Sequence, residues 1–312
     1  MSTQTNHRAV VFAYHDVGVR CIETLLAHQI EIGLIVSHKD NPKENIWFSS
    51  VAKLAERYGI PIVTPEQPDT PELIEKIKSV KANWLFSFYY RHMLPSAILD
   101  SVQNGAFNMH GSLLPHYRGR VPINWAIIHG ESQTGASLHQ MVEKPDAGAL
   151  VGQQRVPILP NDTAVEVFRK VVVAAECVLD QCLPELKAGT LRLSKMDLKA
   201  GSYFSGRCAE DGLIDINQSA WTIHNLIRAV APPYPGAYLD IEGKRFIFNA
   251  SLYTREKASG EQARLYWVDQ RCYLDTRDGE RLEIRELMYN GQKITALSFA
   301  DLLGAKHYTF KI

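Results

Sequence analysis

The stretch FNMHGSLLPHYRGRVPINW, residues 107–125, sets an amide and an imidazole two residues apart, at Asn108 and His110, beside a loop rich in Gly, Pro and Arg. Residues i and i+2 of a strand share a face, so both side chains point the same way if FNMH is a strand end. An asparagine amide donates hydrogen bonds. A histidine ring donates from both nitrogens when charged and exchanges a proton near neutral pH. Together they suit a carbonyl oxygen that gains negative charge under nucleophilic attack, where losing one donor typically costs about 100- to 1000-fold in rate. Spacing alone is more often that of a hydrogen-bonded strand end with no chemistry to perform, so the surroundings decide.

Those surroundings hold further polar groups. KPDAG, residues 144–148, puts Asp146 on a tight turn. A carboxylate near His110 would favour the charged ring and fix its tautomer; alone, Asp146 reads as a turn residue. In HYRGR, Arg118 and Arg120 flank Gly119, and forked guanidinium groups suit a pyrophosphate or a carboxylate as well as a solvated loop. YHDVG, residues 14–18, follows the first apolar run where a dinucleotide fold carries its phosphate loop, but GxGxxG is missing. His15 and Asp16 read there as ligand groups or as turn residues. No Walker motif, HExxH or His/Cys cluster occurs, so neither a nicotinamide cofactor nor a metal is expected.

The chain that must position these groups has 312 residues, 46% hydrophobic and 22% charged, the balance of an ordinary globular protein of one large or two modest domains. No apolar run reaches the roughly 18 residues of a membrane span, and MSTQTNHRAV has no signal-peptide pattern, so no membrane insertion is expected. Five cysteines without a CxxC read as reduced thiols of a cytoplasmic protein, with Cys177 and Cys182 in the core of a helix. A net charge of zero argues against a nucleic-acid partner.

RAVVFAY and EIGLIVSH read as buried strands flanking a turn at HDVG and a helix at VRCIETLLAHQ, a βαβ opening. Helices follow at WFSSVAKLAERYG, closed by Gly59, and at PELIEKIKSVKA, opened by Pro71. Strands follow at IPIVTP, ANWLFSFYY and GAFNMH, with a short helix SAILDSVQN before the last. VPINWAIIHGE reads as helical, and TGASLHQMV with ALVGQQRVPIL as an antiparallel pair around KPDAG. Thr163 and Glu166 form a capping box for a helix running to about residue 188, which Pro184 should kink or end early. The pattern fades from about 190 to 208. SAWTIHNLIRAV gives one more helix, followed by short strands with Gly turns and a closing helix at SFADLLG.

Asn108-x-His110-Gly-Ser-Leu-Leu-Pro115, followed by Tyr-Arg-Gly and then Asp146-Ala-Gly148, resembles the N10-formyltetrahydrofolate-dependent formyltransferases over essentially the whole chain. The resemblance implies an α/β, Rossmann-like parallel-sheet catalytic domain at 1–190, a linker at 191–208 and a small β-rich, OB-like domain at 209–312. It also implies that Asn108 and His110 stabilise a tetrahedral intermediate while Asp146 supports the charged ring. Folate, as N10-formyltetrahydrofolate, is expected along His92, Met93 and Leu94, near Arg120, and along Val142, Glu143, Lys144 and Pro145. Arg118, Arg207 and Tyr234 are expected to meet the nucleotide part of a nucleotide sugar.

Within the family, VVFAYHDVG, FSFYYRHML and HGSLLPHYRGRVPINW are similar to the formyltransferase domains of bifunctional polymyxin-resistance enzymes. Those act on UDP-4-amino-4-deoxy-L-arabinose in lipid A modification. Because the decarboxylase domain of those enzymes does not follow Ile312, a free-standing formyltransferase or a chain cut to that length is expected. Alternatives left open are a formyltransferase of another nucleotide-linked amino sugar, a methionyl-tRNA formyltransferase, a formyl-folate hydrolase and a non-catalytic folate- or nucleotide-binding module. The C-terminal domain could contact substrate or serve packing, and a homodimer is compatible with either.

Overall fold

The computed structural model describes residues 7–258, 260 and 262–310. The chain divides into two compact units. The first, residues 1–122, 134–156 and 169–204, is built on a seven-stranded sheet. Its strands are β1 (Arg8–Ala13), β2 (Glu31–Val36), β3 (Ile62–Val63), β4 (Trp84–Phe88), β5 (Ala106–His110), β7 (Gln133–Gln140) and β8 (Leu150–Pro157), while the short β6 (Arg118–Gly119) stands apart. The order is β3-β2-β1-β4-β5-β7-β8, and the first five strands run parallel. The order reverses between β1 and β4, where open α/β sheets leave a crevice at the carboxyl ends of their strands. Beyond β5 the sheet is antiparallel, with Asn108 opposite His139 and His110 opposite Ser137.

Buried apolar runs make these strands. All of WLFSF in β4 is buried, as are five of six residues in β1, which fits strands covered by helices on both faces. The helices of this unit are α1 (His15–Ala27), α2 (Val51–Tyr58), α3 (Pro71–Val80), α4 (Ser96–Leu99) and most of α6 (Ala164–Ala188), whereas α5 (Pro122–Ile128) belongs, but for Pro122, to the second unit. Their ends obey local chemistry. Ser50 accepts from the Lys53 N–H, Thr70 from the Leu73 N–H with Pro71 behind it, and Gly59 closes α2 at φ 63°. Thr163 and Glu166 exchange bonds of 2.7 and 3.4 Å.

Several expectations are corrected. HDVG is not a turn: α1 starts at His15, so the turn is confined to Tyr14 and to His15 at φ 68°. Helix α2 begins only at Val51, because the Ser50 cap stops it there. Pro184 lies inside α6, which continues to Ala188; the buried stripe through Val178, Leu179, Leu183 and Leu186 carries it past the missing N–H. Cys177 is exposed on the opposite side of that helix and Cys182 is half-buried, so neither is a core thiol.

Residues after α6 add to the first unit. Ser194 bridges Leu150, and β9 (Tyr203–Phe204) pairs in parallel with β6.

The second unit, residues 123–133, 157–168 and 205–312, carries an antiparallel sheet. Its strands are β10 (Ala237–Ile241), β11 (Lys244–Lys257), β12 (Arg264–Val268), β13 (Arg271–Asp275), β14 (Glu280–Tyr289), β15 (Gln292–Lys293) and β16 (His307–Thr309). With α7 (Ala220–Ala229) and α8 (Ala296–Leu303), the sheet encloses Ile223, Ile227, Phe246, Phe248, Leu274 and Phe299. His224 of α7 is fully buried, its Nε2 donating to the Pro160 carbonyl at 3.0 Å and its Nδ1 accepting from Ser251 Oγ at 2.8 Å.

Burial pushes the His224 ring down to about 4. The unfolded chain takes up this proton near 6.5 and the folded one only near 4, so the stability it carries is present above 6.5 and is lost as pH falls towards 4. His224→Asn should therefore flatten the fall in thermal midpoint over that window, and an unchanged slope would contradict the buried neutral ring.

Candidate active site

Asn108 and His110 end β5 at the carboxyl edge of the parallel strands, and His110 is only 6% exposed. Its Nε2 lies 2.8 Å from the Tyr117 carbonyl. A carbonyl only accepts, so Nε2 carries the hydrogen. Its Nδ1 faces Asp146 Oδ1 at 3.6 Å, an ion-pair distance longer than a hydrogen bond. Acceptors thus face both ring nitrogens, one within hydrogen-bond reach and one at ion-pair distance.

Asp146, at φ 48° in the turn after β7, serves more than His110. Its Oδ2 accepts the Gly119 N–H at 2.9 Å, and His139 Nε2 lies 3.4 Å from its Oδ1. Burial alone would raise this carboxyl. The His110 charge beside it and the Gly119 N–H on it outweigh burial and hold it well below the usual carboxylate range.

His139 is the residue that the sequence reading missed. Its Nδ1 donates to the Gln140 carbonyl at 2.7 Å, and its Nε2 lies 3.1 Å from Asn108 Nδ2. A neutral His139 accepts there from the Asn108 amide, which keeps its second N–H for a ligand. The alternation in SLHQ puts His139 on a strand face, but only the β5–β7 register, with Asn108 opposite it, reveals the contact.

The loop after β5 is held closely. Ser137 Oγ donates to the Ser112 carbonyl at 2.5 Å and accepts the Leu114 N–H at 3.1 Å, while Gln153 Nε2 reaches the Leu114 carbonyl at 2.7 Å. Gly111 leaves no room for a Cβ, because the Tyr89 hydroxyl occupies that place, and Tyr89 itself sits at φ 59°. Gly119 has φ 95°, and a Cβ there would meet the Phe204 carbonyl oxygen.

An aromatic wall stands at the carboxyl ends of β1 and β4. His15 stacks on Phe48 at 3.8 Å and His38 on Tyr90 at 4.2 Å. Arg91 lies 4.8 Å over the Tyr14 ring and donates from Nη1 to both Glu44 carboxylate oxygens at 2.8 and 2.9 Å, while the Tyr14 hydroxyl donates to Asp40 at 2.8 Å. Burial pushes His15 and His38 each down to about 4, which leaves both rings neutral at ordinary pH.

Leu94 is buried in the cluster that Met141 packs against, which sets the segments bearing Met93 and Val142 along one cluster. Met93 (59%), Val142 (44%), Glu143, Lys144 and Arg120 are exposed, with His92 and Pro145 half-buried. Arg118 is 8% exposed; Nη2 reaches the Leu198 carbonyl at 3.4 Å and no carboxylate pairs with it among the described residues. Arg207 and Tyr234 belong to the second unit. Arg207 stacks over Trp125 at 4.7 Å and donates to the Asp211 carbonyl at 2.8 Å, while burial raises the Tyr234 hydroxyl. Among the described residues no group of three or more His, Cys, Asp or Glu could hold a metal ion, and no helix is long and apolar enough to cross a membrane.

Residues 8–183 match the family described as formyl transferase, and residues 208–302 match the formyl transferase C-terminal domain. Among solved structures, the chain is similar to WlaRD, a sugar 3N-formyl transferase crystallised with dTDP and 5-N-formyl-THF. Identity is 19%, coverage 92% of this chain and 99% of that one, and the TM-score 0.69. An N-formyltransferase from Helicobacter canadensis in complex with folinic acid and dTDP-3-aminofucose gives 21% identity, 92% and 99% coverage and a TM-score of 0.66. HypX from Aquifex aeolicus in complex with tetrahydrofolic acid gives 19% identity and a TM-score of 0.64, over 96% of this chain and 47% of that one. Likeness at these identities speaks to fold alone.

The packing around Gly119 is testable without substrate. Both Gly119→Ala and Gly59→Ala place a Cβ at positive φ, a strain of about 1–2 kcal/mol. Only the first drives it into a backbone oxygen, since nothing lies within 4 Å of a Cβ at Gly59. Gly119→Ala should lower the urea midpoint clearly more than Gly59→Ala; equal shifts would mean that the β6–β9 contact is loose.

Proposed function

The chain belongs to the formyl transferase family, and from that premise we propose that it moves a formyl group from N10-formyltetrahydrofolate to the amine of a nucleotide-linked amino sugar. The observation that carries the reading is the convergence of Asn108, His110 and Asp146, 38 residues apart along the chain at the extremes, at the carboxyl edge of one sheet.

In this reading the neutral acceptor amine attacks the formyl carbon. The formyl oxygen becomes an oxyanion, which takes the second Asn108 N–H and the His110 Nε2–H, the latter in exchange for the Tyr117 carbonyl. Asp146 lies beside Nδ1 and balances the positive charge the ring carries whenever both its nitrogens are protonated. When the tetrahedral intermediate collapses, the C–N bond to the folate nitrogen breaks and His110 gives that nitrogen a proton. The ring regains a proton from the amine, which has become an amide. The exposed apolar Met93 and Val142 suit the flat face of a pterin, with the backbone of His92 to Leu94 and of Val142 to Asp146 serving its polar edge. The buried Arg118, with no carboxylate partner among the described residues, suits a phosphate oxygen.

For the acceptor we assign UDP-4-amino-4-deoxy-L-arabinose, and with it a role in lipid A modification and polymyxin resistance. The support is the segment pair YHDVG and FSFYYRHML, whose Tyr14, His15, Tyr90 and Arg91 all enter the aromatic wall at the crevice. The chain's zero net charge suits a small nucleotide sugar better than a tRNA. Five free cysteines suit the reducing cytoplasm, where such sugars and folates occur.

Two measurements test this. Incubation with N10-formyltetrahydrofolate and UDP-4-amino-4-deoxy-L-arabinose, dTDP-linked amino sugars or methionyl-tRNA should give the formamide mass shift chiefly on the first. Preference for a dTDP-sugar would move the acceptor assignment, and preference for the tRNA would overturn the sugar reading. Asn108→Ala should lower turnover by about 100- to 1000-fold with the fold intact, and His110→Ala by at least as much; near-normal turnover in both would refute the assigned roles.

A further inference from the structure

The segment after α6, where the sequence pattern fades, is tied to the loop that carries Tyr117. Ser202 bonds three times. Its Oγ accepts the Tyr117 N–H at 2.9 Å, its carbonyl accepts the Arg118 N–H at 3.0 Å, and its N–H donates to the Pro115 carbonyl at 3.2 Å. The Phe204 carbonyl accepts the Arg120 N–H at 3.0 Å, and its ring stacks on Tyr117 at 5.4 Å and 17°. Two glycines make the approach this close: a Cβ on Gly201 would meet the Pro115 carbonyl oxygen, and one on Gly119 the Phe204 carbonyl oxygen.

These bonds set the peptide whose oxygen faces the imidazole. Tyr117 sits at φ 56°, a left-handed conformation that a non-glycine residue adopts only when its surroundings impose it. The Ser202 hydroxyl holds its N–H on one side, and the His110 Nε2–H takes its carbonyl on the other, at 2.8 Å. Ser112 Oγ also approaches that carbonyl, at 3.3 Å, but its shorter bond of 2.6 Å goes to His116.

We propose that Ser202 is a positioning residue for His110: acting through the Tyr117 carbonyl, it fixes the hydrogen on Nε2 and the direction in which that N–H points. The ring then meets a ligand oxygen with the correct nitrogen already protonated. Without the hydroxyl, Tyr117 can relax out of its left-handed conformation. The neutral ring is then free to place its hydrogen on Nδ1, towards Asp146, and to present a lone pair where a donor is needed. The kinetic part of this rests on the formyl-transfer reading; the tautomer part does not.

The test uses the full chain, with Ser202→Ala, the conservative Ser202→Thr, and His110→Gln to identify the resonance. Imidazole nitrogen spectra of nitrogen-15-labelled protein, recorded over a pH series, read the tautomer directly. The wild type and Ser202→Thr should show the neutral His110 ring with hydrogen on Nε2, and Ser202→Ala a mixture with Nδ1–H. In the formyl-transfer assay Ser202→Ala should lose about 10- to 100-fold in kcat with KM for both substrates little changed, and Ser202→Thr should recover most of it. An Ser202→Ala spectrum identical to wild type overturns the proposal, whatever happens to the rate. If no acceptor is turned over at all, the formyl-transfer reading fails and the spectra still decide the role of Ser202.

Discussion

A carboxylate buried in protein is unstable unless its charge is met, and the first unit is arranged so that Asp146 is met on both its oxygens. The Gly119 N–H bonds one oxygen, and the imidazoles of His110 and His139 face the other. Those groups come from three places: the loop after β5, the end of β5 itself and the neighbouring β7. Removing the charge would leave His110 without its counter-ion and Gly119 without its acceptor. Losses from breaking a buried pair of this kind typically reach about 3–5 kcal/mol.

The geometry around this anion is bought with unfavourable backbone. Asp146, Tyr117 and Tyr89 are all left-handed without being glycine, and Gly111, Gly119 and Gly201 lie where any side chain would strike a neighbour. Strain of this sort persists only where surrounding structure over-determines it, and it gathers at functional sites. Here the determinants are countable: the Ser202 and Phe204 bonds for the loop, the Ser137 and Gln153 bonds for Leu114, and Asp146 for Gly119. The strand order reverses between β1 and β4, and Asn108 and His110 stand at the carboxyl end of β5, the strand next to β4.

Much of this was legible in the residues. Buried apolar runs identified β1, β2, β4 and β5, while Pro71, Gly59 and Thr163 marked helix ends. The spacing of Asn108 and His110 named the pair, because a period of two needs no tertiary information. What stayed hidden was non-local. The register that sets His139 against Asn108 depends on which strands pair. The β6–β9 pairing joins segments some 85 residues apart and has only two residues on each side. Pro184 misled because propensity weighed the missing N–H without the buried stripe on both sides of it. Cys177 departs from expectation because a helical position does not by itself fix which face is buried.

The dependence of His110 on Asp146 is the claim on which the rest stands, and a double-mutant cycle on formyl transfer measures it most directly. If the two side chains act as one unit, His110→Ala combined with Asp146→Ala should be hardly slower than the slower single variant, as groups that act together are strongly non-additive. Losses that multiply would show two independent contributions, and the buried anion would then not be what holds the imidazole to its task.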